Sequence, residues 1–219
     1  MENTPHNHGV LVTLANSRTR RRAFGTMKVT KTGCLKSVLI ALAVLALAGG
    51  AIRWHYAHRF PYGCRHLCIK GIGLSLKLYA GDHGGRFPSG LETPEASLGL
   101  LYPKYMPHAD SLGGKTVRSG VAESLLASGG HLTPVACAWH YVEGLTDDDR
   151  PDIALLWDKE PGYGHNCEVM PDRKGREVLF VDGHAEWITG DQWHELMRRQ
   201  AELMAERAEN GVPNKPLQR

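Results

Sequence analysis

Residues 37–52 have the sequence SVLIALAVLALAGGAI, a run of sixteen residues without a charge that ends before Arg53. At 1.5 Å per residue, a helix over this run is about 24 Å long, which is shorter than the hydrocarbon core of a bilayer, roughly 30 Å. Trp54 and Tyr56 suit the membrane interface, and the Arg53 side chain can extend toward water. The stretch therefore predicts a transmembrane helix over residues 37–56, by which the chain contacts the membrane.

Two alternatives to an anchor remain open for the same run. Ala46 and Ala48 form the small-x-small pattern of a signal peptidase site, so the run also fits a signal peptide whose cleavage near Ala48 releases a secreted protein. A buried core helix of a soluble protein is the second alternative. The anchor and the signal peptide both place everything after residue 53 outside the cytoplasm.

The charge of the chain is distributed unevenly around this run. Seven of the 26 Lys and Arg residues precede Ser37, with only one acid, Glu2, which leaves 19 basic and 22 acidic residues in the remainder. A basic excess beside an apolar span predicts a single-pass protein of the cytoplasmic membrane, with its N-terminus inside and its domain in the periplasm or outside the cell. Because the exported part is not basic, nucleic acid is not an expected partner.

The composition also divides the chain into domains. Residues 1–36 are polar and basic without periodicity, which predicts a disordered cytoplasmic segment, and Met27 is an alternative start of the chain. Residues 64–209 are long enough for one extracytoplasmic domain with its own core. Residues 210–219 predict a disordered tail.

Four cysteines follow the apolar run and predict disulfides. Cys64, Cys68, Cys137 and Cys167 would lie in an oxidising compartment, where four cysteines favour two bridges. Cys64 and Cys68 are one helical turn apart, and a bridge between them would close only a very short loop. Since longer loops give more stabilisation in the chain-entropy model, we expect Cys64 or Cys68 to pair with Cys137 or Cys167.

Apolar spacing predicts the helix and the first strands of the domain. Steps of three and four residues from Cys64 to Tyr79 predict an amphipathic helix, which Pro61 and Gly63 separate from the transmembrane run. Residues 135–142 and 153–157 predict two strands, and the second of them is apolar enough to be fully buried.

The C-terminal part of the domain carries a hairpin signal. Residues 177–181 and 184–188 alternate around Asp182 and Gly183, which predicts two strands on a type I′ turn with positive φ at both turn residues. Thr189 and Gln192 then form a capping box, which predicts a helix whose apolar face contains Trp193, Leu196, Met197, Gln200, Leu203 and Met204.

Three blocks of the sequence resemble a known family. Residues 67–79 (LCIKGIGLSLKLY) with 84–88 (GGRFP), residues 101–107 (LYPKYMP) and residues 178–187 (VLFVDGHAEW) are similar, in order, to segments of type II secretion pseudopilin-like proteins with a prepilin-type His-x9-Asp-Gly C-terminal domain. The resemblance implies an α+β, pilin-like fold, in which an N-terminal apolar or amphipathic helix packs on a small antiparallel sheet, here with a C-terminal helix in addition. It also implies, as partners, other pseudopilin-like subunits or secretion machinery.

The N-terminal prepilin motif of that family is degenerate here. If Gly33 is the processed glycine, Cys34 stands in place of the expected Phe and Val38 in place of the expected Glu. The signature His is Asp172 in this chain, and His165 lies seven residues before it. These departures predict that the chain is not processed and does not form filaments.

The sequence contains few candidate residues for catalysis or metal binding. His140, His165, His184, Asp158 and Asp182 could gather near the hairpin, but they match no catalytic motif, and we expect no enzyme activity. Cys64-x3-Cys68, Cys137-x2-His140 and His165-x-Cys167 supply zinc-type ligands, which compete with disulfide formation. The carboxylates of Asp147, Asp148, Asp149 and Asp152 are candidate calcium ligands in one loop, so we expect no cofactor other than calcium.

Two functions from different classes follow from these observations. The first is a non-enzymatic, pseudopilin-like envelope protein that acts as a structural or interaction component. The alternative is a free-standing, membrane-anchored module that uses the same fold to bind a ligand or a metal.

Overall fold

The computed structural model describes residues 31–63 and 68–210. The chain divides into two compact units at the boundary between Ala48 and Gly49. Helix α1 covers Lys31–Arg59. Its segment Leu35–Arg59 has 25 residues, the most apolar 18 of which have a mean hydropathy of 2.2, and none of those 18 is buried. At 1.5 Å per residue this segment is about 37 Å long, enough to cross a membrane. The alternative of a buried core helix is therefore wrong.

Helix α1 extends beyond the predicted run at both ends. It begins at Lys31, so the predicted disordered segment over residues 1–36 is wrong for its last six residues, and it ends at Arg59 rather than at residue 56. Lys, Leu and Arg are good helix formers and extend the helix past the apolar residues. Residues 1–30, including the alternative start Met27, lie outside the described residues, as do residues 211–219 of the predicted tail.

A second helix, α2, covers Ile69–Asp82. It is separate from α1, because Cys68 at its N-cap has an extended backbone (φ −98°, ψ 106°). The predicted break between the two helices is confirmed, although α2 begins at Ile69 and residues 64–67 lie outside the described residues. One face of α2 is buried in the core, and the opposite face exposes Leu74 and Leu78.

Four antiparallel strands form a sheet in the order β1-β2-β3-β4. Their bounds are Trp139–Tyr141, Ala154–Asp158, Gly175–Phe180 and Ala185–Thr189. Strand β2 is buried along its whole length, as predicted. Strand β1 is shorter than predicted, because the backbone N–H of Ala138 donates to Gly113 O (2.7 Å) instead of pairing in the sheet.

The β3–β4 hairpin is confirmed, but its turn differs from the predicted type I′. Gly183 has φ +94°, whereas the φ of Asp182 is not positive. The N–H of Gly183 donates to Phe180 O (2.9 Å), and the N–H of Phe180 donates to His184 O (2.9 Å). This is a three-residue loop in which a type I turn precedes a glycine in the left-handed region, so that only the glycine needs positive φ.

Helix α6, over Gly190–Glu209, begins with the predicted capping box, in which the backbone N–H of Thr189 donates to Gln192 Oε1 (3.0 Å). Its apolar face covers one side of the sheet, over a cluster that includes Trp157 and Phe180. Leu179 of β3 and the buried face of α2 belong to the main core on the other side. The expected α+β arrangement of an N-terminal apolar helix, a small antiparallel sheet and a C-terminal helix is therefore present.

Short helical segments lie in the connection between α2 and β1. They are α3 over Pro94–Leu98 with a following 3₁₀ turn over Gly99–Leu101, α4 over Asp110–Gly113, and α5 over Val121–Ala127.

Candidate functional site

A buried lysine joins two carboxylates at one end of the sheet. Lys115 Nζ lies 2.7 Å from Asp158 Oδ2 and 2.7 Å from Glu177 Oε2, and it donates to Tyr163 O at 3.3 Å. The side chains of Lys115, Asp158 and Glu177 are only 1%, 4% and 8% exposed. We call these three residues and His165, which contacts Glu177, the lysine–carboxylate cluster.

The fold positions this cluster through the register of the strands. Asp158 is the last residue of β2 and lies opposite Trp139, while Glu177 of β3 lies opposite Trp187 of β4. Both indole rings lie near the ammonium group, with ring centroids 5.7 Å and 5.9 Å from Lys115 Nζ. These contacts are at the distance of cation–π interactions, which favour a desolvated ammonium.

Close packing around Trp187 requires a glycine in β3. A Cβ atom on Gly175 would lie only 2.3 Å from Trp187 Nε1, so the indole ring occupies space that any other residue would fill. The glycine at the start of β3 therefore lets Trp187 pack against the backbone next to the cluster.

The cluster carries an excess negative charge when all its groups except the imidazole are ionised. One ammonium and two carboxylates sum to −1 in a site that water hardly reaches. Burial raises the pKa of Asp158 from 3.8 to about 6, although the neighbouring Lys115 ammonium acts in the opposite direction. Asp158 Oδ2 also accepts from the backbone N–H of Glu177 (2.9 Å), which ties β2 to β3. One proton would make the cluster neutral.

The loop between β2 and β3, residues 159–174, closes over the cluster. Its residue His165 has Nδ1 3.0 Å from Glu177 Oε1 and a side chain that is 61% exposed. The same loop contacts the end of α1, where Arg59 pairs with Glu168 (Nη2 to Oε2, 2.9 Å) and the N–H of Val169 donates to Arg59 O (2.8 Å). This loop is thus held by the cluster and by the last residue of α1.

The five residues that we considered for catalysis do not gather in one place. Asp158 and His165 both belong to the lysine–carboxylate cluster, whereas His184 pairs with Asp182 in the hairpin turn and stacks on Phe180. His140 stacks on Trp157, with ring centroids 4.3 Å apart. Within the cluster, Lys115, Asp158 and Glu177 are buried, whereas the side chain of His165 is exposed.

The structure changes the expectation for the cysteines. Cys68 and Cys137 carry free thiols, contrary to the prediction that either of them bridges helix to sheet. The reason is that Cys137 points into the core, where its Sγ donates to Leu112 O (3.3 Å) and burial raises its pKa to about 12, while Cys68 is exposed. Cys64 lies outside the described residues, and a bridge between Cys64 and the buried Cys167 stays a prediction.

The acidic loop that we considered for calcium is used for ion pairs with arginines. Asp149 Oδ1 accepts from Arg207 Nε (2.7 Å), and Asp152 Oδ2 accepts from Arg199 Nη2 (2.6 Å). Asp147 and Asp148 of this acidic loop lie near Gly85, which follows α2. Within residues 31–63 and 68–210, no three His, Cys, Asp or Glu side chains are arranged to hold a metal ion. Calcium binding by this loop stays a prediction.

Comparison with known proteins adds no relative. No family model, no curated protein and no solved structure matches this chain.

Proposed function

We propose that this chain is a non-enzymatic, membrane-anchored envelope protein in which one N-terminal helix holds a small α+β domain outside the cytoplasm. The observation that carries the proposal is α1, whose 25-residue segment Leu35–Arg59 is apolar enough to cross a membrane and has no burial in its most apolar 18 residues. Exposing such an apolar surface to water costs about 25 cal/mol of free energy per Å², whereas lipid accommodates it. The basic residues before it favour an orientation with the N-terminus inside.

We further propose that the domain is a pseudopilin-like structural or interaction component of a secretion or pilus assembly. Support comes from the three sequence blocks similar to that family and from the order of elements, an apolar helix followed by an antiparallel meander. Binding would then involve other subunits of the assembly through the domain surface.

A second candidate is a free-standing anchored module that binds a ligand. It is favoured by the break between α1 and α2, because a filament built on a single long helix needs a continuous spine. The extended backbone of Cys68 interrupts that spine here. The two candidates differ in whether the chain depends on other subunits for its localisation or its activity.

The experiment that tests the anchor is N-terminal sequencing and intact-mass measurement of the mature protein after cell fractionation. An anchor leaves the chain in the membrane fraction with residues 37–56 still attached. A soluble chain that begins directly after Ala48 would identify a cleaved signal peptide and overturn the anchor. Co-purification of pseudopilin-like subunits from mild detergent extracts would then distinguish an assembly component from a free-standing module.

A further inference from the structure

We propose that the lysine–carboxylate cluster is a proton switch, in which Asp158 takes up one proton and the loop over residues 159–174 is then held more tightly on the domain. The role goes beyond the proposed envelope function, although it rests on that function for the idea that the domain is exposed to the pH of its surroundings.

The cluster holds an excess charge away from water. Lys115, Asp158 and Glu177 together carry a charge of −1, and their side chains are almost entirely buried. A buried excess charge is costly, because the interior solvates it poorly. The cost falls if water enters or if a proton is bound.

The loop over residues 159–174 keeps water away from the cluster. Tyr163 O accepts a hydrogen bond from Lys115 Nζ, and His165 Nδ1 contacts Glu177 Oε1, so the loop residues 163 and 165 cover the cluster. Opening this loop would admit water to the two carboxylates. The unprotonated cluster therefore favours opening, and the proton favours closing.

Other charged groups near the cluster are engaged elsewhere. Lys159 Nζ pairs with Glu95 (2.7 Å), and the Arg176 guanidinium lies over the Trp193 ring at 4.3 Å. On the loop itself, Glu168 pairs with Arg59. His165 Nδ1 also lies 3.0 Å from a carboxylate oxygen of the cluster, Glu177 Oε1.

The direction and size of the pH dependence of loop closure follow from its coupling to proton uptake. Because burial raises the pKa of Asp158 from 3.8 to about 6, loop closure and proton uptake are coupled. Closure is strongest below the lower value and weakens as the pH rises through the higher one. With these two values, closure is about tenfold more favourable at pH 5 than at pH 7.

Movement of the loop over residues 159–174 would also affect the end of α1. Val169 and Glu168 of the same loop contact Arg59, and the Tyr62 and Tyr163 rings meet edge to face with centroids 5.9 Å apart. The switch would therefore change how firmly the segment after α1 is held on the domain as the external pH changes.

The test is hydrogen exchange, followed by mass spectrometry, of the full chain in detergent micelles at pH 5, 6 and 7, with rates corrected for intrinsic exchange. We expect protection of peptides from residues 159–174 to fall about tenfold from pH 5 to pH 7, while peptides from α6 keep their protection. Asp158→Asn makes the cluster neutral at every pH and should abolish the dependence. Asp82→Asn, which alters an exposed aspartate–lysine pair, should retain it.

Two results would overturn the switch. One is a native chain whose loop protection does not change between pH 5 and pH 7, which requires no variant to fold. The other is a full pH dependence that persists in Asp158→Asn. His165→Gln distinguishes the site of the proton, since a dependence that survives this exposed substitution supports Asp158, and one that disappears contradicts it.

Discussion

Removal of the buried ammonium group should be the most damaging single change in the domain. In Lys115→Met, a side chain of similar length remains, but Asp158 and Glu177 lose their counter-charge while they stay buried. Breaking a buried pair on one side costs about 3–5 kcal/mol of unfolding free energy. Because a domain of this size has only about 5–15 kcal/mol in total, the variant should be severely destabilised.

The matched control is Lys104→Met, which removes an ion pair of the same length but different burial. Lys104 Nζ lies 2.6 Å from Asp82 Oδ2, and the two side chains are 69% and 53% exposed. Water screens this pair, so its loss should hardly change the midpoint of unfolding. The assay is urea unfolding of the full chain in detergent, followed by tryptophan fluorescence at pH 7.

The cost of Lys115→Met should shrink at pH 5, because a proton on Asp158 removes one of the two stranded charges. Equal midpoints for the two lysine variants at pH 7 would refute the reasoning, since burial would then make no difference. A cost that grows at pH 5 would refute the assigned charge of the cluster.

Two further predictions rest on the fold and one on the sequence. Gly183→Val should lower the unfolding free energy by about 1–2 kcal/mol, because its φ of +94° is strained for a branched residue, whereas Gly183→Asn should cost less. Gln200→Leu should cost on the order of 2–4 kcal/mol in urea unfolding, because the Gln200 side chain satisfies both the N–H and the C=O of the buried Ala154 (2.8 and 2.9 Å). Prepilin peptidase should not cut after Gly33 on co-expression, because Val38 stands in place of the expected Glu.

Each of the three has an outcome that contradicts it. Equal stability of the Val and Asn variants at Gly183 would mean that the turn tolerates any residue, and full stability with loss of a measured ligand would make it a binding site. Unchanged unfolding of Gln200→Leu would show that water replaces the side chain. A mature chain that begins at Cys34, together with filaments in electron micrographs, would show that the degenerate motif still functions.

The sequence predicted those elements that are determined by residues close together in the chain. The break at Pro61 and Gly63, the fully buried strand β2, the hairpin around Gly183 and the capping box at Thr189 all depend on neighbouring residues. The type I′ turn was wrong because the same Asp-Gly pair also fits a three-residue loop, and the choice depends on the register of the strands. The helix α1 was longer than its apolar run because charged residues of good helix propensity extend it.

The lysine–carboxylate cluster was not predicted, because its members are distant in sequence. Lys115 follows two glycines in a segment without periodicity, and nothing local indicates a buried cation. A weak signal existed in Asp158, a carboxylate directly after a fully apolar strand, and in Glu177, which belongs to an apolar strand as well. Only the register that places both carboxylates around one lysine shows why they are tolerated.

Export of the domain by α1 can be measured by protease shaving of intact spheroplasts, with the domain detected by an antibody against its C-terminal helix α6. We expect external protease to remove the domain signal while a cytoplasmic marker stays intact, and the remaining membrane fragment to contain α1. Protection of the domain until the membrane is lysed would place it in the cytoplasm and contradict the proposed anchor orientation.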